Sequence, residues 1–152
     1  MLIEEIKKRG KVHAVRLQDM KNFFKNPSDD NREIYSVFSI QREQLVYDLT
    51  IIKPGNVNKE FFMTRGHYHK IPSSEVYYCI KGEGILLMQK GSDFKKVRMQ
   101  AGRFYEVREG YAHRTVNTGN SPLQFITISL TKSGHDYKTI EKKGFKQRII
   151  SR

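Results

Sequence analysis

No tryptophan occurs in the 152 residues, and Cys79 is the single cysteine. A lone cysteine closes no internal disulfide and excludes every multi-cysteine zinc or iron–sulfur arrangement, so a metal here must rest on histidine and carboxylate. Prolines number only four, and no apolar run approaches the roughly 20 residues that a membrane-spanning helix needs. The opening MLIEEIKKRGKV meets charge before it builds a hydrophobic segment. It does not read as a secretory leader, so a cytoplasmic location is expected. Acid is also scarce: 16 Asp and Glu stand against 28 Lys and Arg, a net charge of +12. That balance predicts an anionic partner, either nucleic acid or a small phosphorylated metabolite. What is abundant is ordinary for a folded chain, with 38% apolar residues, eight tyrosines and nine phenylalanines.

Residues 2–9 and 18–25 have helical spacing, the second through Leu17, Met20, Phe23 and Phe24 before Asn26-Pro27 stops it. These are the only helices the pattern supports. After the PSDDNR turn at Pro27 to Arg32 the period changes to two, and strands are expected at 34–40, 44–52, 59–64, 75–80, 85–90, 95–99, 104–107, 113–116 and 123–130. Turn chemistry separates them at Pro54-Gly55-Asn56, Lys81 to Gly84, Lys90 to Asp93, Ala101-Gly102 and Thr118 to Asn120. Short strands at such intervals, with no helices interleaved, predict an all-β sandwich or barrel rather than a parallel α/β sheet. No repeat or linker marks a second domain. One domain over 1–152 is expected, with 1–33 a helical and loop preface and 34–152 the barrel and C-terminal tail.

Two of the five histidines fall in Gly66-His67-Tyr68-His69. On a strand, residues i and i+2 share a face, so both imidazoles can reach one ion. The pair alone is weak evidence, and by itself it more often marks ordinary loop or surface histidines. Five intervening residues follow, then Glu75, then six residues, then Gly82. A second stretch carries Gly102, Arg108, Gly110, His113 and Asn117. Three imidazoles and one carboxylate form a nitrogen and oxygen set suited to Fe(II), Mn(II), Ni(II) or Zn(II), with room for substrate oxygens. Cys79 and Tyr77 share the parity of Glu75, and Cys79 reads as a small buried filler. Asn117 reads as a turn-fixing residue, and His13 joins no motif and reads as surface.

The two stretches resemble the paired motifs of the cupin superfamily, which implies a double-stranded β-helix, or jelly roll, aiming His67, His69, Glu75 and His113 at one ion. More of the chain resembles one branch, the archaeal-type cupin glucose-6-phosphate isomerases. The segments that carry this are Tyr47-Asp48-Leu49-Thr50, Pro54-Gly55, Thr64 to His69, Glu75-Val76-Tyr77, Ala112 to Asn117 and the ending GHDYKTIEKKGF from Gly134 to Phe145. The resemblance implies phosphate contacts from the Thr50 and Thr64 hydroxyls and the Gly66 N–H. It implies sugar contacts from Tyr77, His135 and Tyr137, with Glu75 as ligand or base. Ser129 stands where that family has a tyrosine near the phosphate, and Arg108 to Tyr111 replace its Pro-Pro-Tyr-Trp. Arg65 is a further phosphate candidate.

The expected activity is metal-dependent interconversion of glucose 6-phosphate and fructose 6-phosphate, by an enediolate or a hydride shift. The expected cofactor is one divalent metal, Fe(II) first, with Mn(II), Ni(II) or Zn(II) as alternatives. A sugar phosphate is favoured over nucleic acid as partner, and a homodimer is expected by analogy. The other readings are an isomerase or epimerase of another sugar phosphate, an Fe(II) cupin oxygenase, and a non-catalytic sugar-phosphate-binding module.

Overall fold

A computed structural model describes all residues, 1–152. In chain order it comprises α1 (Leu2–Arg9), β1 (Lys11–Arg16), a 3₁₀ turn (Leu17–Met20), β2 (Glu33–Arg42), β3 (Leu45–Ile52), β4 (Asn56–Val57), β5 (Glu60–Phe61) and β6 (Glu75–Lys81). These are followed by β7 (Glu83–Lys90), β8 (Asp93–Gln100), β9 (Phe104–Val107), β10 (Ala112–Asn117), β11 (Leu123–Leu130), a second 3₁₀ turn (Thr131–Ser133) and α2 (Lys138–Lys143). Antiparallel pairing builds a six-stranded sheet, β1-β2-β3-β11-β6-β9, and a three-stranded sheet, β10-β7-β8. Bridges Met63↔Val116 and His67↔His113 lay the 63–67 segment along β10. The all-β expectation holds.

The two sheets face each other over a core that includes Leu86, Leu87, Met99, Val116, Leu123 and Phe125. The outer face of the large sheet is apolar as well, and α1 covers part of it through fully buried Ile6 against Leu49 and Ile126. Burial on both faces accounts for the apolar character of β3 and β11. Polar residues on their inner face therefore stand out. At the β6–β7 hairpin, a Cβ on Gly84 would lie 2.3 Å from the Val116 carbonyl oxygen, so only glycine lets β7 pack this closely on β10.

Four local expectations are corrected. Residues 18–25 form a 3₁₀ turn and bends, because the 28–31 loop takes over the polar groups: Gln18 donates to Ser28 O and Asp30 O, and Asn31 Oδ1 accepts from the Gln18 N–H. Leu17, Met20, Phe23 and Phe24 are nonetheless buried, so their spacing anchors the segment to the core without making a helix. The supposed preface also contains β1, an edge strand whose only buried residue is Val15 and whose pattern is therefore faint. The expected strand at 59–64 shrinks to β5 and isolated bridges. Helix α2 was not expected; Asp136 starts it by accepting from the Thr139 N–H and hydroxyl, and buried Ile140 docks it.

Candidate active site

His67 and His113 are brought together by a reciprocal backbone pair, His67 N–H to His113 O at 3.2 Å and the reverse at 3.1 Å. Their rings lie 4.4 Å apart, and the His69 ring is 5.4 Å from His67 and 5.1 Å from His113. Glu75 opens β6 in the opposite sheet and points at the same spot. One donor atom from each of His67, His69, Glu75 and His113 falls within 4.8 Å of all the others.

The orientation of these groups fits a cation. His69 Nδ1 lies 3.0 Å from Ser73 O and His113 Nδ1 lies 3.4 Å from Tyr111 O, so each ring can give its proton outward and turn Nε2 inward. Glu75 Oε2 is 2.7 Å from His113 Nε2 and 3.3 Å from His69 Nε2. Yet Glu75 Oε2, His113 Nε2 and His67 Nε2 are buried without hydrogen-bond geometry to any partner. Proximity without hydrogen bonding is what lone pairs aimed at a common centre produce. Burial opposes ionisation of Glu75, but His113, His69 and His67 outweigh it and hold the carboxyl far below its usual range. Burial, with His113 beside it, pushes His67 well below the ordinary histidine value. At His69 burial is outweighed by Glu75, which raises it.

A cavity of about 400 Å³ opens above the cluster, within the ordinary range for small-ligand sites. Thr50, Thr64, Gly66, Tyr77, His135 and Tyr137 all line it. Thr64 Oγ1 accepts the Thr115 N–H at 3.0 Å, which leaves its own proton to donate. Gly66 takes φ +78°, and a Cβ there would meet the Phe145 ring at 2.9 Å and Arg114 Cβ at 3.1 Å. Buried Arg114 holds this turn: Nε donates to Thr64 O at 3.1 Å, Nη2 to Arg65 O at 2.6 Å, and the guanidinium lies 4.8 Å over Phe145. Burial lowers its pKa to about 10. His135 and Tyr137 stack at 5.5 Å beside His67, brought there by the Tyr68↔Asp136 bridge. Burial lowers His135 and raises both phenols, Tyr77 the further, so the imidazole is neutral and the phenols remain donors at neutral pH.

Two placements differ from expectation. Ser129 is buried on β11 against Val46, outside the cavity lining. Arg65 lies over the Tyr137 ring, 5.7 Å from its centroid, and is not in the lining either. His13 is exposed, as read, and also lines the cavity mouth with Lys11, the only lysine or arginine that does. Asp48 and Ser39 also line it. Asp48 left a trace in the sequence, a charged residue at an inward position between Val46 and Thr50. Lys11 and His13 left none, because nothing predicted β1. Cys79 is fully buried, and Asn117 fixes its turn by donating to Ile52 O and Ser121 O while accepting from the Gly119 N–H.

No helix is long and apolar enough to cross a membrane. Among solved structures, an oxalate decarboxylase from Bacillus subtilis matches with TM-score 0.56 at 20% identity, over 66% of this chain and 26% of that one. That likeness is one of fold, and it is the cupin fold. Curated relatives match more of the chain. A glucose-6-phosphate isomerase of Thermococcus litoralis is 38% identical, covering 98% of this chain and 83% of the relative; one from Thermococcus onnurineus is 42% identical, covering 89% and 78%. The profile of the glucose-6-phosphate isomerase family matches residues 18–152, a span that includes every strand but β1, every candidate ligand and the GHDY segment. With four metal-type donors converging below a sugar-sized cavity in a cupin barrel, this chain belongs to the cupin-type glucose-6-phosphate isomerase family.

Proposed function

We propose that the chain interconverts glucose 6-phosphate and fructose 6-phosphate, using one divalent metal, Fe(II) first among the candidates, held by His67, His69, Glu75 and His113. The observation that carries this reading is the convergence of those four donors, three with orphaned buried atoms, at the floor of the cavity that Thr50, Thr64 and Gly66 also line. When bound, the ion would supply Lewis-acid polarisation of the sugar's carbonyl. The rest falls to the protein. The Thr50 and Thr64 hydroxyls and the Gly66 N–H receive the phosphate, and Arg114 fixes the backbone that presents two of them. Tyr77 and Tyr137, kept protonated, donate to sugar oxygens. Neutral His135 carries a proton between oxygen atoms, and ionised Glu75 stands nearest the carbons that exchange hydrogen.

A coupled assay of the two hexose phosphates tests the reading, run as purified, after chelation, and after return of Fe(II), Mn(II), Ni(II) or Zn(II). Activity that survives complete chelation refutes the metal. Reaction in deuterated water separates the routes: deuterium in the product supports proton transfer, for which Glu75 is the candidate base, and a complete lack of incorporation counts against that route. The same reading puts the protein in the cytoplasm, at the step shared by glycolysis and gluconeogenesis. The apolar strip of Val76, Phe104, Ile126 and Ile128 beside α1, with Phe104 70% exposed, supports pairing as a homodimer, which light scattering would measure.

A further inference from the structure

Asp48 is the one acid in the cavity besides Glu75, and the protein does not complete it. It sits on the inner face of β3, between Ser39 of β2 and Thr127 of β11 in the cross-strand row. Ser39 stands opposite it on β2 and favours the charged form of the carboxyl. Its Oδ1 is shielded from solvent and has no partner at all. A carboxylate oxygen can only accept, and leaving one buried and unmatched is costly unless a donor arrives from outside the chain.

The register says which part of a ligand would bring that donor. Thr50 follows Asp48 by two residues on the same face of β3, roughly 7 Å further along the strand. Across the sheet, the Asp48 row continues through Thr127 to Tyr77, and Tyr77 is two residues from Glu75 on β6. Three levels therefore run down the wall: Thr50, where the proposed reading seats the phosphate; Asp48; and Glu75, where the carbonyl end lies. Asp48 faces the middle.

We infer that Asp48 is a specificity-determining residue whose free oxygen accepts a hydrogen bond from a secondary hydroxyl at C3 or C4 of the sugar phosphate. The carboxylate thereby selects polyhydroxy chains over phosphorylated compounds of equal length that lack the donor. This rests on the proposed sugar-phosphate reading and adds to it a residue that nothing else assigns.

The test uses binding, so it does not depend on turnover. Glucitol 6-phosphate, an open chain that cannot isomerise, and its 3-deoxy and 4-deoxy forms are titrated calorimetrically into the metal-loaded protein, its Asp48→Ala and its Asp48→Asn. The wild type should bind one deoxy form about tenfold to a hundredfold more weakly than the parent, the range for hydrogen bonds to charged groups. Asp48→Ala should bind that form and the parent alike, with Asp48→Asn between. Circular dichroism and metal content identify folded variants, and Asp48→Asn alone carries the comparison if the alanine variant does not fold. Identical ratios in wild type and variants overturn the assignment of Asp48 and leave the sugar-phosphate reading standing. Failure of the wild type to bind glucitol 6-phosphate at all removes that reading, and this inference with it.

Discussion

The floor and the wall of the cavity are built on opposite plans. On the floor, four groups from two short motifs crowd within 4.8 Å, the outer nitrogens of His69 and His113 tied to backbone carbonyls and the inner atoms of Glu75, His67 and His113 left without partners. On the wall, Lys11, His13, Ser39, Asp48 and Thr50 are spread over three strands, and each reaches the cavity through strand register alone. A cluster that must hold one ion needs short range and fixed geometry, so its residues repeat in recognisable spacing. A surface that reads an extended ligand needs only one inward position per strand. The floor is set up for chemistry, and the wall for recognition.

If that division is right, substitutions on the floor should act on turnover and those on the wall on affinity. The largest effect is expected from His113→Ala. It removes a ligand and leaves Glu75 without its nearest imidazole, so the protein should lose bound metal and isomerase activity should fall on the order of 10³-fold or more, the several kcal/mol a Lewis acid contributes. Metal analysis and the coupled assay check this. Retained metal with normal turnover would break the comparison at its strongest point.

Arg114 joins the two regions. It lies on β10 beside His113, yet its hydrogen bonds go to the carbonyls of Thr64 and Arg65. Arg114→Lys keeps the charge and loses the forked geometry. KM for glucose 6-phosphate should rise about tenfold while kcat and metal content stay near wild type, because misplacing the binding turn weakens orientation without touching the ion. A fall in kcat with KM unchanged would place Arg114 with the floor. Lys11→Ala is expected to be milder. Its ammonium is exposed on an edge strand, so KM should rise about threefold at low salt and the difference should shrink as salt screens it.

The same division explains what could be read in advance. The floor was legible because His67, His69, Glu75 and His113 lie in motifs whose spacing survives without knowledge of pairing. Most strand positions were legible because short runs of strand-forming residues are bounded by turn residues such as Pro54-Gly55-Asn56 and Lys90 to Asp93. The wall was hidden for two reasons. Residues 11–16 bury only Val15, so no hydrophobic alternation announced the strand that carries Lys11 and His13. Asp48 stands in the sequence only as one residue of a family segment, and its role depends on lying between Thr50 and the Tyr77 row, which only the β3–β11–β6 register supplies. Ser129 shows the converse: position in a family pattern suggested a substrate contact, and packing against Val46 puts it outside the cavity lining. Helix α2 was too short for periodicity to show, although Asp136, three residues before Thr139, was a usable start signal.

The smallest effect concerns stability and tests whether the wall sacrifices any for function. Burial raises the Asp48 carboxyl above its ordinary value, because the charged form loses water that Ser39 alone does not replace. Unfolded, the group titrates near 3.9. Between that value and the raised folded one, the native state binds more protons than the unfolded state, so this group's contribution to stability increases as pH falls through the window. Above the window the wild type carries the full burial cost. Asp48→Asn has the same shape and no such charge, so the metal-free variant should melt a few degrees above the wild type near pH 7. The gap should narrow as the pH is lowered toward about 4, with other carboxylates cancelling in the difference. Paired thermal melts across that range measure it. A variant that melts below the wild type at neutral pH would mean the carboxylate is held by the fold itself, and Asp48 would then belong with the structural polar groups of the sheet.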